Sequence, residues 1–385
     1  MTKRILLFTG KGGVGKTTCA AATALKTARE GKKTLVLSSD PAHSLADALD
    51  VKLGPEPVSI AQNLWAQEVD LYYSMQKYWQ NLRHMLLVLF KWQGVQDVAA
   101  EELASLPGMA EASTLLWLDQ FYSDGDFEVI VVDSAPTGET LTLLSLPQVT
   151  QWWLTKAFPF QRSAVQLFGK AVNTFTGVPL DKGVEELDAM FGKLEKVQKI
   201  LANPAITSMR IVANPERMVI NEARRAYTYL QLYGYGVDAI LVNRVLPESS
   251  DAVWGKYLAA QQKYLAEIEN SFEPLPIFKV PHLGEEVFGL ERLEQIADSL
   301  YGDASPTQVF FSEPTYRLVN EENGYRLEIR LPASDANVSV QQFGDQLVIQ
   351  AGHQRRNYLL PQFLSYYKMK HWSFKDGWLK VFFVA

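Results

Sequence analysis

Apolar and polar positions alternate along this chain in two regimes. Over the first three hundred residues, short unbroken apolar runs are separated by amphipathic stretches. "RILLFT" (4–9), "KTLVLSSD" (33–40) and "EVIVVD" (128–133) have the near-continuous apolar character of parallel strands buried on both faces. "KTTCAAATALKTAREG" (16–31) reads as a helix rich in Ala and Leu and closed by Gly31. In "SMQKYWQNLRHMLLVLFKWQ", Met75, Tyr78, Trp79, Leu82, Met85, Leu86 and Leu89 recur at helical spacing. Leu87, Val88, Phe90 and Trp92 fall off that stripe, so the end of this helix is apolar nearly all round. Two further stripes follow: Phe160, Ala164, Leu167, Phe168, Ala171 and Phe175, then Leu187, Met190, Phe191, Leu194, Val197 and Leu201.

The second regime begins near residue 302. "GDASPTQVFFSEPT" reads as a linker. Beyond it Tyr325, Leu327, Ile329 and Leu331 alternate as in a half-buried strand. "VSVQQFGDQLVIQAG" predicts two strands turning at Gly344–Asp345, and "WSFKDGWLKVFFVA" a hairpin at Asp376–Gly377. This density of short strands predicts a small β-sandwich.

Composition narrows the class. With 385 residues the chain has room for two or three domains, and 47% hydrophobic residues fits a globular protein with a large core. A net charge of −6 leaves no broad basic field, so no nucleic-acid partner is expected. The single cysteine, Cys19, excludes an internal disulfide and any metal centre built from several cysteines of one chain. No apolar run approaches the roughly 18 residues that cross a bilayer. No leader is recognisable ahead of the motif at residue 10, and the expectation is a soluble cytoplasmic protein.

The chemistry concentrates in "GKGGVGKTT", Gly10 to Thr18, between the first strand and the first helix. Gly12, Gly13 and Gly15 let the backbone curl so that its N–H groups face a phosphate. The helix starting near Lys16 adds its positive end. Lys16 brings a point charge to the β- and γ-phosphates, and Thr17 offers a hydroxyl to Mg2+. Asp40 ends the second strand, "KTLVLSSD", and Asp133 ends the third, "EVIVVD". Both therefore fall on the edge of a doubly wound sheet where ligands bind. One can serve the metal's water shell while the other orients or deprotonates water. Helix N-capping is the alternative for each aspartate.

The loop, together with "DPAHSLADAL" and "DSAPTGETLTLL", resembles the arsenite-pump and tail-anchored-protein-targeting ATPase family, over roughly residues 1 to 300. The resemblance implies an α/β fold: a P-loop NTPase with a mostly parallel sheet (1–301), and a helical subdomain inserted around 70–125 and 150–205. It implies an ATP-hydrolysing, Mg2+-dependent homodimer in which nucleotide-controlled closure forms a groove for hydrophobic client helices. Tail-anchored membrane proteins are the implied clients, with a membrane receptor as further partner. ATP is held by Gly10, Lys11, Gly12, Gly13, Val14, Gly15, Lys16, Thr17 and Thr18. Lys16 and Asp40 are catalytic, and Lys11 reaches across the dimer to the partner's nucleotide. Mg2+ is held by Thr17, Asp40 and Asp133, partly through water. The same resemblance places Glu216 of "NPERM" near the nucleotide. It gives adenine recognition to Asn243 of "LVNRVLP" and lays Pro281, His282 and Leu283 along the base.

Departures sharpen this reading. The family's C-x-x-C zinc pair is missing after "LVNRVLP", so no zinc is expected, and Glu139 stands where the second switch often has His. The ordered phrases "YRLEIRLP", "GDQLVIQAG", "LLP" and "FKDGWLKVFF" resemble the α-crystallin domain of small heat-shock proteins, giving 302–314 as linker and 315–385 as an all-β sandwich. That tandem resembles a subfamily found in photosynthetic organisms. Residues 315–385 carry nine Lys and Arg against six Asp and Glu, about +3, which leaves about −9 for the rest. Several readings stay open: a helical insert that packs on itself, a β-domain that only stabilises, and an anion-pump or a positioning/partition ATPase working with a membrane partner.

Overall fold

A computed structural model describes residues 3–40, 44–80, 109–134, 180–247, 255–313, 316–321, 323–330, 337–344, 346–351, 354–359, 364 and 366–384. The three predicted buried strands form the middle of an eight-stranded sheet. They are β1 (Arg4–Thr9), β2 (Thr34–Ser38) and β5 (Val129–Asp133), and every one of their residues is buried. β1 runs parallel to both β5 and β6 (Thr207–Ala213), with Leu6 opposite Val131 and Ser208. With β3 (Val58–Ala61), β4 (Leu64–Glu68), β7 (Val237–Val245) and β8 (Ile277–Pro281), the order is β3-β4-β2-β5-β1-β6-β7-β8. Only the edge pair β3–β4 is antiparallel. The mostly parallel P-loop fold is thus present. Apolar strands at its centre need helices on both faces, and the intervening amphipathic segments supply them.

Those helices are α1 (Lys16–Arg29), α2 (Ser44–Leu49), α3 (Leu71–Tyr78), α4 (Met109–Asp124), α5 (Leu180–Leu201), α6 (Arg217–Leu232), α7 (Gly255–Phe272) and α8 (Gly289–Tyr301). Gly31, at φ 86, follows the last turn of α1 and donates its N–H to Ala28 O at 3.0 Å, the left-handed stop its sequence position predicts. Among the described residues, no helix is long and apolar enough to cross a membrane.

The start of the predicted 75–89 stripe packs as core. Met75 and Trp79 are buried, and the Trp117 indole donates to Ser74 Oγ at 3.0 Å while its ring stacks on Phe121. Leu194, Val197 and Leu201 bury the same way from α5. Tyr78, Met190 and Phe191 are partly buried against the same core, while Leu82 to Leu89 and Phe160 to Phe175 lie outside the described residues.

One polar knot ties the sheet to its helices. Arg210, in the middle of β6, is fully buried, with Nε 3.1 Å from Asp238 Oδ1. Its other nitrogens donate to Tyr301 Oη (2.9 Å) and to Pro306 O (2.7 Å). The Tyr301 hydroxyl in turn lies 2.7 Å from Thr23 Oγ1 on α1. Burial alone would lower the Arg210 guanidinium; the Asp238 carboxylate outweighs it and holds the group charged, above its ordinary range.

The stretch read as a linker takes part in this knot. Besides Pro306, Thr307 O accepts from Arg4 Nε at 3.1 Å, and Phe310 and Phe311 pack against the main core. Through residue 313 it is strapped onto the eight-stranded domain, because its carbonyls are the partners of buried guanidinium groups.

Beyond the strap lie two antiparallel sheets. One, ordered β14-β15-β10-β9, holds β9 (Tyr316–Glu321), β10 (Gly324–Arg330), β14 (Lys368–Lys375) and β15 (Trp378–Val384). The other holds β11 (Val338–Phe343), β12 (Gln346–Ala351) and β13 (Gln354–Leu359). They enclose their own core around Leu327, Ile329, Leu347, Ile349, Leu379, Val381 and Phe383. The predicted hairpin turn is there: Asp376 and Gly377 both take positive φ, 53 and 76, as a two-residue turn of matching twist requires. Arg330 of β10 joins the two parts: it is paired with Glu313, lies over the Phe311 ring, and its charge acts on buried Tyr227 of α6, the helix that β10 packs against.

Replacing Asp238 by Ala strands the buried guanidinium of Arg210 and should cost about 3–5 kcal/mol. Tyr301→Phe removes one hydroxyl shared by two neighbours and should cost about 1–3 kcal/mol. Urea unfolding followed by tryptophan fluorescence measures both. Equal and small effects would mean the knot contributes little.

Candidate functional site

The phosphate loop leaves β1 at Gly10 and enters α1 at Lys16. Two glycines are fixed by space as well as by dihedral angle. Gly10 has φ 152, and a Cβ there would stand 2.2 Å from the Val212 carbonyl oxygen. Gly15 has φ 93, and a Cβ there would stand 2.2 Å from Asn243 Nδ2. Gly12 and Gly13 are exposed at the tip, Val14 is buried beneath it, and Thr18 is half-buried in the first turn of α1.

Lys16 is buried within the curl, its ammonium 3.4 Å from Lys11 O. Thr17 Oγ1 lies 3.3 Å from Ser44 Oγ, and Ser44 Oγ donates to Asp40 Oδ2 at 3.0 Å. Asp40 lies two residues beyond β2, not in the strand, with its N–H donated to Ser38 Oγ at 3.2 Å. Asp133 ends β5 with no exposed surface. Its Oδ2 accepts from Ser38 Oγ at 3.3 Å, the Thr17 hydroxyl helps hold its charge, and its Oδ1 has no hydrogen-bond partner. Lys16, Thr17, Asp40 and Asp133 thus meet at one sheet edge, as the motif spacing predicts. Ser38 and Ser44 join them unannounced. Ser44 is readable in hindsight, four residues after Asp40 and at the head of a helix.

Burial pushes the Asp133 carboxyl up to about 6, against the hydroxyls of Thr17 and Ser38 and the charge of Lys16, with Asp40 nearby adding to the rise. A sealed carboxylate with one unpaired oxygen fits a hard divalent cation, whose preferred ligands are oxygens. Thr17 Oγ1 and Asp133, with Asp40 behind Ser44, are the side chains that would hold Mg2+ beside a bound nucleotide. Among the described residues no three His, Cys, Asp or Glu side chains cluster closely enough to hold a metal ion. Nucleotide and water oxygens are therefore needed to complete such a shell.

Lys11 sits at the rim, its side chain about one-third exposed (33%) and its ammonium 4.0 Å from Glu222 Oε2 on α6. Sequence reasoning had no signal for Glu222. Cys19 is buried on α1, its thiol pushed up to about 12, first by burial and then by Asp133.

The base-side residues divide. His282 donates its N–H to Val245 O at 2.9 Å and caps Gly284 N through Nδ1 at 2.9 Å, while Pro281 ends β8 and Leu283 packs on the core. Glu216 is exposed at the N-cap of α6. Asn243 faces the phosphate loop: Nδ2 donates to Val14 O at 2.9 Å and Oδ1 accepts from Arg244 N at 2.9 Å.

Known proteins match along nearly the whole chain. The family model described as anion-transporting ATPase matches residues 3–302, and an HSP20-like domain found in ArsA matches 322–383. The "Putative arsenical pump-driving ATPase 1" of Aquifex aeolicus is 40% identical over 93% of this chain and 94% of that protein. The "Putative arsenical pump-driving ATPase" of Chlorobaculum tepidum is 39% identical over 98% and 95%. "ATPase GET3" of Phaeosphaeria nodorum is 32% identical over 76% and 93%.

Because Asp133 binds its proton more tightly folded than unfolded, its contribution to stability is full below about pH 4 and is lost as pH rises through about 6. Without Mg2+ and nucleotide, Asp133→Asn should lack this fall and melt above wild type at pH 7. Thermal unfolding from pH 5 to pH 8 tests it; parallel curves for the two proteins would contradict the burial argument.

Proposed function

The chain belongs to the anion-transporting ATPase family and is an ATPase, and from that premise we propose that it works as a homodimer whose Mg·ATP-driven closure forms a hydrophobic groove for apolar client helices. One observation carries the reading: the loop holds two lysines in different states. Lys16 is buried in the curl and suits its own chain's β- and γ-phosphates. Lys11 is partly exposed at the rim, with its counter-charge 4.0 Å away. An ion pair that long and that wet is worth little. Lys11 can therefore exchange Glu222 for the phosphates of a nucleotide on a second copy.

The remaining roles follow from position. Thr17 and Asp133 hold the cation, which when bound neutralises phosphate charge in the transition state. Asp40, set by the Ser44 hydroxyl, orients the attacking water and accepts its proton. Asn243, Pro281 and His282 border the base. Both aspartates stand where the chain leaves the sheet, and the segment after Asp133 leads towards the apolar stripes of the helical insert. Loss of the γ-phosphate releases that connection, a common way for nucleotide switches to act. Apolar helices, such as the single membrane anchors of tail-anchored proteins, are the clients that such stripes suit, with a membrane receptor at delivery. Metalloid transport, as the names of the pump relatives imply for them, finds little support here: Cys19 is the one cysteine, and its buried, protonated thiol supplies no thiolate.

Lys16→Ala and Asp40→Asn should abolish turnover. Lys11→Ala should lower kcat on the order of 10³-fold if it acts as a finger in trans. Wild-type kcat should rise with protein concentration, and the Lys11→Ala protein should lose that rise. A turnover independent of concentration, or unchanged in Lys11→Ala, would sink the dimer reading. Crosslinking of a synthetic apolar helix of about 20 residues to the Asp40→Asn protein should increase with ATP over ADP.

A further inference from the structure

Two side chains from neighbouring strands hold the Val14 carbonyl of the phosphate loop. Asn243, at the end of β7, donates Nδ2 to it at 2.9 Å. Asn214, one residue past β6, reaches the same oxygen: with its amide oriented to suit its neighbours, the nitrogen donates to Val14 O and to Ala213 O, each at 3.2 Å. Both side chains are buried, 7% and 5% exposed. The Asn243 oxygen is in turn held by Arg244 N at 2.9 Å, which fixes the amide's orientation. Gly15 passes so close to this amide that any side chain would collide with it.

A trans peptide is planar, and its C=O and N–H point in opposite directions. Whatever fixes the Val14 carbonyl therefore aims the Gly15 N–H the other way, off the two asparagines and towards the hollow of the loop. We infer that Asn243 and Asn214 are positioning residues of the phosphate site, clamping the Val14–Gly15 peptide so that the loop is pre-set for a triphosphate. Asn243 thus belongs to the phosphate apparatus as well as to the base side. The inference rests on the ATPase reading and adds to it two residues that touch no phosphate. Preorganised donors need no reordering when the anion arrives, and that is where such a clamp acts.

The test separates base from phosphate. Asn243→Ala and Asn214→Ala are made in the full chain. kcat and KM are measured for Mg·ATP and Mg·GTP, with inorganic triphosphate as a competitive inhibitor that has no base. Each lost hydrogen bond of about 1 kcal/mol should raise KM for both nucleotides and Ki for triphosphate, by about fivefold. Because the lost interaction serves ground state and transition state equally, kcat should change little. A loss confined to ATP, with GTP and triphosphate unmoved, would leave Asn243 a base reader only and overturn the clamp. So would variants that melt earlier yet bind all three as wild type does. Should Asn243→Ala fail to fold, Asn214→Ala reads the same carbonyl from the neighbouring strand. A wild-type chain that neither hydrolyses ATP nor binds triphosphate would bring down the ATPase reading instead.

Discussion

A carboxylate sealed from water at the end of a central strand sets the terms for everything around it. Asp133 closes β5 with one oxygen unpaired, and a buried carboxylate oxygen so placed favours a cation, a proton or a hydrogen-bond donor. Its neighbours answer that need only in part. Ser38 and Thr17 lend hydroxyls and Lys16 a charge, yet burial still holds the group above the ordinary carboxylate range. An edge built this way is poised for a metal–nucleotide complex. The glycine loop curls beside it, where the phosphates of such a complex would lie.

The same economy of buried charge explains how the ends of the chain are fastened. Arg210 is as deeply enclosed as Asp133, but its partners are complete: Asp238, Tyr301 and two strap carbonyls. One buried ion is finished within the fold, and the other is left for a ligand to finish. This contrast separates framework from site. Through Tyr301 and Thr23 the finished ion braces α1, the helix whose first turn cradles phosphate. Through the strap it anchors the sandwich, and Arg330 then docks that sandwich against α6. The helix carrying Glu222, the counter-charge of Lys11, is therefore contacted at one place by the nucleotide loop and at another by the β-domain. A domain so attached has a physical route to the site.

Much of this was written into local sequence. Strands buried on both faces must be apolar throughout, so β1, β2 and β5 announce themselves, and the loop between β1 and α1 carries its glycines in fixed spacing. Asp40 and Asp133 stand at strand ends and Lys16 and Thr17 follow the glycine loop from another, which puts all four on one edge. The alternation beyond residue 315 declared a sandwich, and Asp376–Gly377 its turn.

What the sequence could not declare are contacts between residues far apart along the chain. Asn243 reaches Val14 across 229 positions, and Arg210 reaches Pro306 across 96. No periodicity records such pairings, since each depends on how strands order within the sheet. Asn243 is the clearest case: the packing of β7 beside the loop brings its amide to the Val14 carbonyl, a contact that no local pattern records. The linker is another. Its Gly, Ser and Pro mark a linker, and only the fold shows that buried guanidinium groups use its carbonyls. Local chemistry fixed which groups this protein has to bind phosphate and metal. The order of its strands decided which distant groups hold them in place.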